Sequence, residues 1–205
     1  MVPVAYRCGE ILTNRRIGFI AAGLLLSCLF LLELVSGREG SEHNDLAFIA
    51  YVSFSIWALM EYQRSKHPAW IFVIGLFSGL AILCKWLVGL LVYAGWFLLV
   101  IQGKEKVNSF KNMAKALGVT ILVAMPWQLY TFIRFKAEAI KEFEFNALHL
   151  TIPVEGHGGG LWYHFQNFDH LYGLLTSFLI LPGLFILYRK SQDKKLFFAL
   201  LGMLL

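Results

Sequence analysis

Six long apolar runs divide this chain, and they constrain its fold more than any other feature. They cover roughly residues 17–36, 46–62, 69–84, 86–102, 114–133 and 172–188, and a shorter apolar stub follows at 196–205. A transmembrane helix needs about 20 predominantly apolar residues, and fewer where the bilayer thins around it. The sequence therefore predicts one all-α, polytopic transmembrane domain over residues 1–205, with a helix and a loop outside the membrane.

The composition excludes an ordinary soluble domain, because 58% of the residues are hydrophobic and only 15% are charged. A net charge of +5 could suggest a nucleic-acid partner. The basic residues, however, form short clusters between apolar runs and do not follow one solvated face, so we expect no nucleic-acid partner. Cys8, Cys28 and Cys84 lie in or beside apolar runs and define neither a disulfide framework nor a CxxC metal motif.

The distribution of basic residues predicts the orientation in the membrane. With a cytoplasmic N-terminus, the cytoplasmic segments hold 13 of the 18 basic residues, namely Arg7, Arg15, Arg16, Arg64, Lys66, Lys104, Lys106, Lys111, Lys115, Arg189, Lys190, Lys194 and Lys195. Positive charge is retained on the cytoplasmic side during insertion. We therefore predict a multi-pass integral membrane protein with a cytoplasmic N-terminus. The loop 37–45, the turn at Lys85 and the segment 134–171 are then external.

The external segment begins with an amphipathic stretch and continues into a polar, aromatic loop. The stretch RFKAEAIKEFEFNAL, which starts at Arg134, places apolar side chains among charges and predicts a helix lying in the membrane interface. The loop after it combines histidines, carboxylates, aromatic rings and glycines up to Asp169. This mixture is typical of an active-site face, but interfacial loops at headgroup depth have a similar composition.

Asp45 and Lys85 are the two candidate site residues within the hydrophobic part of the chain. Asp45 stands beside Glu42 at the start of the second apolar run. Its carboxylate could bind a metal, hold a sugar hydroxyl or accept a proton, but position alone favours a helix N-cap. Lys85 stands between two apolar runs, where an ammonium must reach outward or pair with an anion, and lipid phosphate is the obvious anion.

The histidines of the external loop are candidate metal ligands. His149, His157 and the carboxylate of Glu155 together suit a divalent metal ion such as zinc or manganese. Their spacing matches no compact metal signature, so simple polar contacts are the favoured interpretation, and the sequence specifies no cofactor. The chain has no Walker loop, no GxSxG and no HExxH motif, so the corresponding hydrolase classes lack their key residues.

Three segments together resemble one enzyme family. AILCKWLVGLLVY is similar to its Leu-Thr-Lys-Gly hairpin, MPWQLYTFIRF to its Pro-Trp exit, and PVEGHGGGLWYHF to its Glu-Gly-His-Gly-Gly loop with a following aromatic pair. The family is the GT-C type of polytopic glycosyltransferases. The chain resembles most the branch with the protein O-mannosyltransferases and the bacterial enzyme that adds aminoarabinose to lipid A. The resemblance extends from about Arg7 to about Tyr188.

The resemblance implies transfer of a sugar from a polyprenyl-phosphate donor to a lipid, glycan or protein acceptor, on the outer face of a bacterial inner membrane. It implies that Asp45, with Glu42 beside it, is a catalytic acid, and that Lys85 lies near the donor phosphate. The residues that it places around the substrate are Lys85, Glu155, His157, Trp162 and Tyr163. It also implies that His149 or His157 matches the loop ligands of the family.

The sequence departs from the family pattern in ways that leave other functions open. The family starts with a further span and a first outer loop with an acidic pair, which nothing upstream of Arg7 supplies, and Trp86 stands where glycine is usual. We therefore expect a fragment of a longer enzyme, inactive by itself. The alternatives are a non-catalytic membrane subunit and a transporter or flippase of lipid-linked sugars. A transporter would need polar residues at mid-membrane depth.

Overall fold

The computed structural model describes residues 1–37, 43–102, 106–148, 166–167, 172–191 and 193–203. These residues form helices and no strand, which confirms the all-α prediction. The α-helices are α1 (Val2–Leu12), α2 (Arg15–Leu26), α3 (Leu29–Ser36), α4 (His43–Ser65), α5 (Ala69–Lys85), α6 (Leu91–Gln102), α7 (Lys106–Arg134), α8 (Lys136–Leu148), α9 (Leu174–Lys190) and α10 (Lys194–Gly202). A 3-10 helix, Trp86–Leu90, joins α5 to α6.

Three helical stretches in the described residues are long and apolar enough to cross a membrane. They are Asn44–Ser65, Ala69–Gln102 and Ser109–Arg134, and the bent pair α2 and α3 would make a fourth if it crosses as one element. At 1.5 Å per residue, a 22-residue helix such as Asn44–Ser65 extends about 33 Å, which matches a bilayer core. Several apolar helices therefore make this an integral membrane protein, while the six-span count stays a prediction.

The Ala69–Gln102 stretch folds back on itself at Trp86. A Cβ atom on Gly89 would lie 2.5 Å from the backbone nitrogen of Ile82 and 2.9 Å from the carbonyl carbon of Ala81. One continuous helix would hold positions seven residues apart at a distance of about 10 Å. The chain therefore turns back sharply at Trp86 and packs the 3-10 helix against the end of α5, which makes a hairpin between the apolar runs 69–84 and 86–102.

The first apolar run, predicted as one continuous span, is broken in the middle. Helix α2 ends at Leu26 and α3 begins at Leu29, with a bend of 53° between them. The hydroxyl of Ser27 donates to the carbonyl oxygen of Leu24 at 3.0 Å. Such a side-chain bond to the backbone competes with the helical hydrogen bonds, so Ser27 provides a local reason for the break.

The buried core lies among four helices that pack side by side. The best buried ring is that of Trp96, whose centroid lies 5.3 Å from that of Tyr62. The buried members of this cluster are Ala58, Leu59 and Tyr62 of α4, Ile71 and Ile74 of α5, Val92, Trp96 and Val100 of α6, and Ala116 of α7. Because α4 packs against α5, the start of α4 lies beside the end of α5.

Small residues let α5 and α7 approach closely. A Cβ atom on Gly75 would collide with the carbonyl oxygen of Ala116, and one on Gly79 would lie 2.6 Å from the Cβ of Val123. The hydroxyl of Thr120 lies 3.1 Å from the carbonyl oxygen of Gly75, to which it can donate across the interface. The Gly75–Gly79 spacing therefore marks a real helix contact, as small-residue motifs do in membrane proteins.

A methyl group at Gly75 should therefore destabilise the bundle. We expect Gly75→Ala to lower the free energy of unfolding by about 1–3 kcal/mol, because the collision is with backbone and forces the two helices apart. The measurement is the midpoint of thermal unfolding of the purified protein in detergent. The control is Gly118→Ala on α7, where nothing lies within 4 Å of the added Cβ. Equal midpoints for the two variants would contradict this packing.

Helix α10 contains the C-terminal apolar stub and packs against α6. The side chain of Asp193 caps its first turn by accepting from the backbone N–H groups of Lys195 at 2.9 Å and Leu196 at 3.0 Å. The ammonium of Lys195 donates to the carbonyl oxygen of Gln102, the last residue of α6, at 2.7 Å. This hydrogen bond ties the start of α10 to the end of α6.

Candidate active site

The structure brings Asp45 and Lys85 together. Asp45 lies in the first turn of α4 and Lys85 is the last residue of α5, and the carboxylate Oδ1 of Asp45 forms an ion pair with the ammonium of Lys85. The side chains remain partly accessible, at 23% for Asp45 and 40% for Lys85. Because the pair is partly accessible at one end of an apolar bundle, a ligand can replace one of the two side chains if it carries the same charge as that side chain.

The helix ends themselves favour this placement of charges. A carboxylate is stabilised near the positive end of the helix dipole, and an ammonium near the negative end. Asp45 at the start of α4 and Lys85 at the end of α5 satisfy both preferences. The sequence had suggested lipid phosphate as the obvious anion for Lys85. In the structure, the anion that Lys85 contacts is the carboxylate of Asp45, and a phosphate partner for Lys85 stays a prediction.

Trp86 holds the turn beside Lys85 in a conformation that side chains disfavour. Its backbone angles are φ 47° and ψ −142°, a region that glycine adopts far more readily than other residues. The sequence had marked this position as one where the family usually has glycine. The positive φ gives the physical reason for that preference, although it could not be read from the sequence of this chain alone.

The indole of Trp86 connects this turn to α8. It meets the ring of Phe143 edge to face, with the ring centroids 5.4 Å apart, and Phe143 also contacts Phe132 of α7 at 6.3 Å. The predicted amphipathic helix after Arg134 is confirmed as α8. Through this aromatic contact, α8 lies against the hairpin next to the Asp45–Lys85 pair and borders the candidate site on one side.

The strained turn predicts an unusual order of stabilities among variants of Trp86. Trp86→Gly loses the ring contact but relieves the backbone, whereas Trp86→Ala loses the ring and keeps the strain. We expect the glycine variant to be the more stable of the two by about 1–3 kcal/mol, the cost of such a conformation. Thermal unfolding of both variants measures the difference. An alanine variant at least as stable as the glycine variant would contradict the strain, because helix propensity alone favours alanine by about 1 kcal/mol.

The remaining predicted site residues lie outside the described residues. They are Glu42, His149, Glu155, His157, Trp162 and Tyr163. The predicted juxtaposition of the external loop with Asp45 and Lys85 is therefore untested. Where the structure describes the chain, no group of three or more histidine, cysteine, aspartate or glutamate side chains is arranged to hold a metal ion.

A second charged cluster, which the sequence analysis did not single out, lies at the other end of α4. The guanidinium of Arg7 donates to Glu61 at 2.5 Å and to Glu10 at 2.7 Å, and the indole of Trp57 donates to Glu61 at 3.3 Å. The hydrogen bonds to Glu61 and Glu10 raise the pKa of Arg7, and Arg7 lowers the pKa of Glu10. These charges join α1 to α4 and satisfy one another, so the cluster is structural.

The sequence of the chain matches the profile of one known protein family. Residues 1–130 match the sequence profile of the dolichyl-phosphate-mannose-protein mannosyltransferase family, which is more than half of the 205 residues. The chain belongs to this family. Among the curated proteins and the solved structures, none matches it.

Membership in the mannosyltransferase family confirms the broader of the two resemblances drawn from the sequence. It makes the chain a glycosyltransferase of the membrane-embedded GT-C kind. The matched residues include Asp45, Lys85 and Trp86, so the ion pair lies within the matched region. The Glu155–Tyr163 stretch, which carried the most specific motif of the resemblance, lies beyond the match.

Proposed function

We propose that this mannosyltransferase-family chain takes part in transferring a sugar from a polyprenyl-phosphate donor to a lipid, glycan or protein acceptor on the outer face of the membrane. The observation that carries the proposal is the partly exposed Asp45–Lys85 pair, which lies at one end of the bundle and within the family-matched residues. A phosphate group carries the same sign of charge as the carboxylate that Lys85 now contacts. It can therefore replace that carboxylate without leaving the ammonium unpaired.

In the proposed reaction, an acceptor hydroxyl attacks the anomeric carbon of the donor sugar from the side opposite the phosphate. The bond between that carbon and the phosphate oxygen breaks, and its electron pair leaves with the polyprenyl phosphate. Lys85 stabilises the additional negative charge as it develops on the departing phosphate. The hydroxyl proton passes to a carboxylate that acts as general base.

Asp45 is the carboxylate that we assign to this reaction, with Glu42 as its neighbour in the sequence. While Asp45 is paired with Lys85, its Oδ1 atom is occupied. When the donor phosphate replaces Asp45 as the partner of Lys85, Asp45 becomes available to accept a proton or to hold a sugar hydroxyl. Further contacts to the sugar are assigned to the external loop, namely to Glu155, His157, Trp162 and Tyr163. A divalent metal ion, if the enzyme uses one, would be held there by His149 and His157.

Family membership and the placement of charges favour transfer over transport. A transporter of lipid-linked sugars would present polar residues at mid-membrane depth. In the described part of the chain, the charged clusters lie near the ends of α4, at Asp45 and at Glu61, and Glu61 is paired with Arg7. A non-catalytic membrane subunit is the alternative that the turnover experiment distinguishes.

Turnover by the protein in proteoliposomes tests the function. We expect a polyprenyl-phosphate sugar, labelled in the sugar, to lose its label to the acceptor fraction while polyprenyl phosphate accumulates. Mass spectrometry of the extracted lipids measures both. Movement of the intact donor between leaflets without cleavage would instead indicate a flippase. A protein that binds polyprenyl phosphate but neither cleaves the donor nor moves it between leaflets would be a non-catalytic subunit.

The outer-face assignment has its own test. In cells that express a variant free of the three native cysteines, we expect an impermeant thiol reagent to modify a cysteine placed at Gln166. We expect it to leave a cysteine placed at Asn108 unmodified until the membrane is permeabilised. The physical reason is the excess of basic residues on the predicted cytoplasmic side. Modification of Asn108→Cys, but not of Gln166→Cys, in intact cells would reverse the orientation.

A further inference from the structure

A pocket of about 300 Å³ opens between α4, α5 and α7 at the end of the bundle opposite Asp45 and Lys85. The residues around it that matter here are Tyr62, Lys66, Ile71, Phe72, Asn112 and Lys115. Lys66 follows α4, whereas Asp45 lies in its first turn, so the pocket is about 30 Å from the candidate active site along the helix. It therefore cannot belong to the site already described.

The polar groups of this pocket are suited to an anion. Lys66 and Lys115 supply two positive charges, and the described residues that line the pocket include no carboxylate. The amide of Asn112 donates to the hydroxyl oxygen of the buried Tyr62 at 2.8 Å. Because that oxygen accepts from Asn112, the hydroxyl hydrogen of Tyr62 is directed elsewhere and can be donated to a ligand.

Lys66 ends α4 at the edge of the pocket. Its backbone φ is 55°, the left-handed conformation in which many helices end, and its N–H donates to the carbonyl oxygen of Tyr62 at 2.8 Å. In this conformation its ammonium donates to the side-chain oxygen of Gln63 at 2.6 Å and lies 5.4 Å from the centre of the Tyr62 ring. The positive charge of Lys66 is therefore held beside the Tyr62 side chain.

The depth of the pocket in the membrane identifies the source of the anion. Lys66 immediately follows the candidate span Asn44–Ser65, and Lys115 lies near the start of the candidate span Ser109–Arg134. The pocket is therefore at the boundary between headgroups and acyl chains. Its opposite wall is apolar, with Ile71 buried and Phe72 57% exposed, which offers a surface to an acyl chain.

We propose that this pocket binds the headgroup phosphate of an anionic phospholipid such as phosphatidylglycerol. The two lysines and the Tyr62 hydroxyl contact the phosphate, and the apolar wall contacts the upper part of an acyl chain. Basic pockets between transmembrane helices on the cytoplasmic side suit such headgroups. The orientation predicted from the basic residues places the pocket on that side. The site is independent of the donor site, because it lies at the opposite end of α4.

Native mass spectrometry of the purified 205-residue chain tests the proposal. Phosphatidylglycerol is titrated in phosphatidylcholine nanodiscs before release of the protein, and the retained lipid is counted. We expect the wild type to retain phosphatidylglycerol in preference to phosphatidylcholine. Neutralising each lysine should weaken retention about fivefold, so the double variant Lys66→Gln, Lys115→Gln should lose about 25-fold. The matched control is Lys111→Gln, an exposed lysine of α7 that does not line the pocket.

Two further arms make the result specific. Tyr62→Phe keeps the ring in the core and should weaken retention several-fold through loss of the hydroxyl alone. Inorganic phosphate and glycerol 3-phosphate should compete poorly, because they cannot use the apolar wall. The proposal is overturned if the double variant retains phosphatidylglycerol as the wild type does, or if Lys111→Gln loses as much. It is overturned equally if soluble phosphate competes as well as the lipid, which would make the pocket a simple anion site.

Discussion

Replacing Lys85 with alanine should lower kcat/KM of the enzyme for its polyprenyl-phosphate donor by about one to two orders of magnitude. A charge-assisted contact contributes about 1.5–3 kcal/mol net, and each 1.36 kcal/mol corresponds to a factor of ten. If the contact strengthens as charge develops on the departing phosphate, the loss appears in kcat and not only in KM. Steady-state kinetics in proteoliposomes measure both constants.

Two further variants and one stability measurement separate this effect from a structural one. Lys85→Arg should keep part of the activity, because the charge survives although the compact ammonium does not. Lys111→Ala, which removes an exposed lysine of α7 outside both proposed sites, should leave the donor kinetics unchanged. Because Lys85→Ala also leaves Asp45 without this ion pair, thermal unfolding of the variant must be measured alongside. Wild-type kinetics in a correctly inserted Lys85→Ala enzyme would reduce Lys85 to an anchor of the hairpin.

Replacing Arg7 with alanine should destabilise the fold by about 3 kcal/mol, the largest effect that we expect from a single substitution outside the candidate site. Glu61 has only 9% of its side chain exposed, and Arg7 holds both of its carboxylate oxygens, at 2.5 and 3.1 Å. Without Arg7, the buried carboxylate would retain the indole of Trp57 but lose its counter-charge. Helix α1 would then lose its polar connection to α4, and thermal unfolding in detergent measures the cost.

The matched control is Arg15→Ala. Arg15 also pairs with an acid, Glu10, but its side chain is 82% exposed, so its loss should change stability little. The double variant Arg7→Met, Glu61→Leu should recover much of the stability, since an apolar pair leaves no buried charge behind. Equal shifts of the unfolding midpoint in Arg7→Ala and Arg15→Ala would contradict this account, because the stability contributed by Arg7 would then not depend on the burial of Glu61.

The parts of the fold that the sequence predicts are those set by periodicity and length. Long apolar runs indicate membrane helices because an unsatisfied backbone is too costly in lipid, and the structure has helices over all six runs. The apolar residues spaced among charges in the stretch after Arg134 likewise predict α8. The break at Ser27 has only a weak local signal, because serine occurs in continuous membrane helices as well. Its effect depends on the hydrogen bond to Leu24 that it makes here.

The location of the candidate site could be predicted from the sequence, but the ion pair within it could not. Topology alone places Asp45 and Lys85 at the same end of the bundle, since Asp45 lies in the first turn of α4 and Lys85 ends the next helix, α5. Their ion pair depends on how α4 packs against α5, which no local pattern encodes. The same is true of Glu61, whose burial results from the packing of α1 against α4. The strained backbone of Trp86 is likewise a product of the tight hairpin.

Direct binding of a polyprenyl monophosphate to the purified 205-residue chain tests most directly whether the Asp45–Lys85 end binds the donor phosphate. Native mass spectrometry would compare the wild type, Lys85→Ala and the control Lys111→Gln, an exposed lysine of α7 that lies in neither proposed site. We predict that Lys85→Ala weakens binding at least tenfold while Lys111→Gln binds as the wild type does. Undiminished binding by Lys85→Ala, or an equal loss in Lys111→Gln, would contradict the assignment of the donor site.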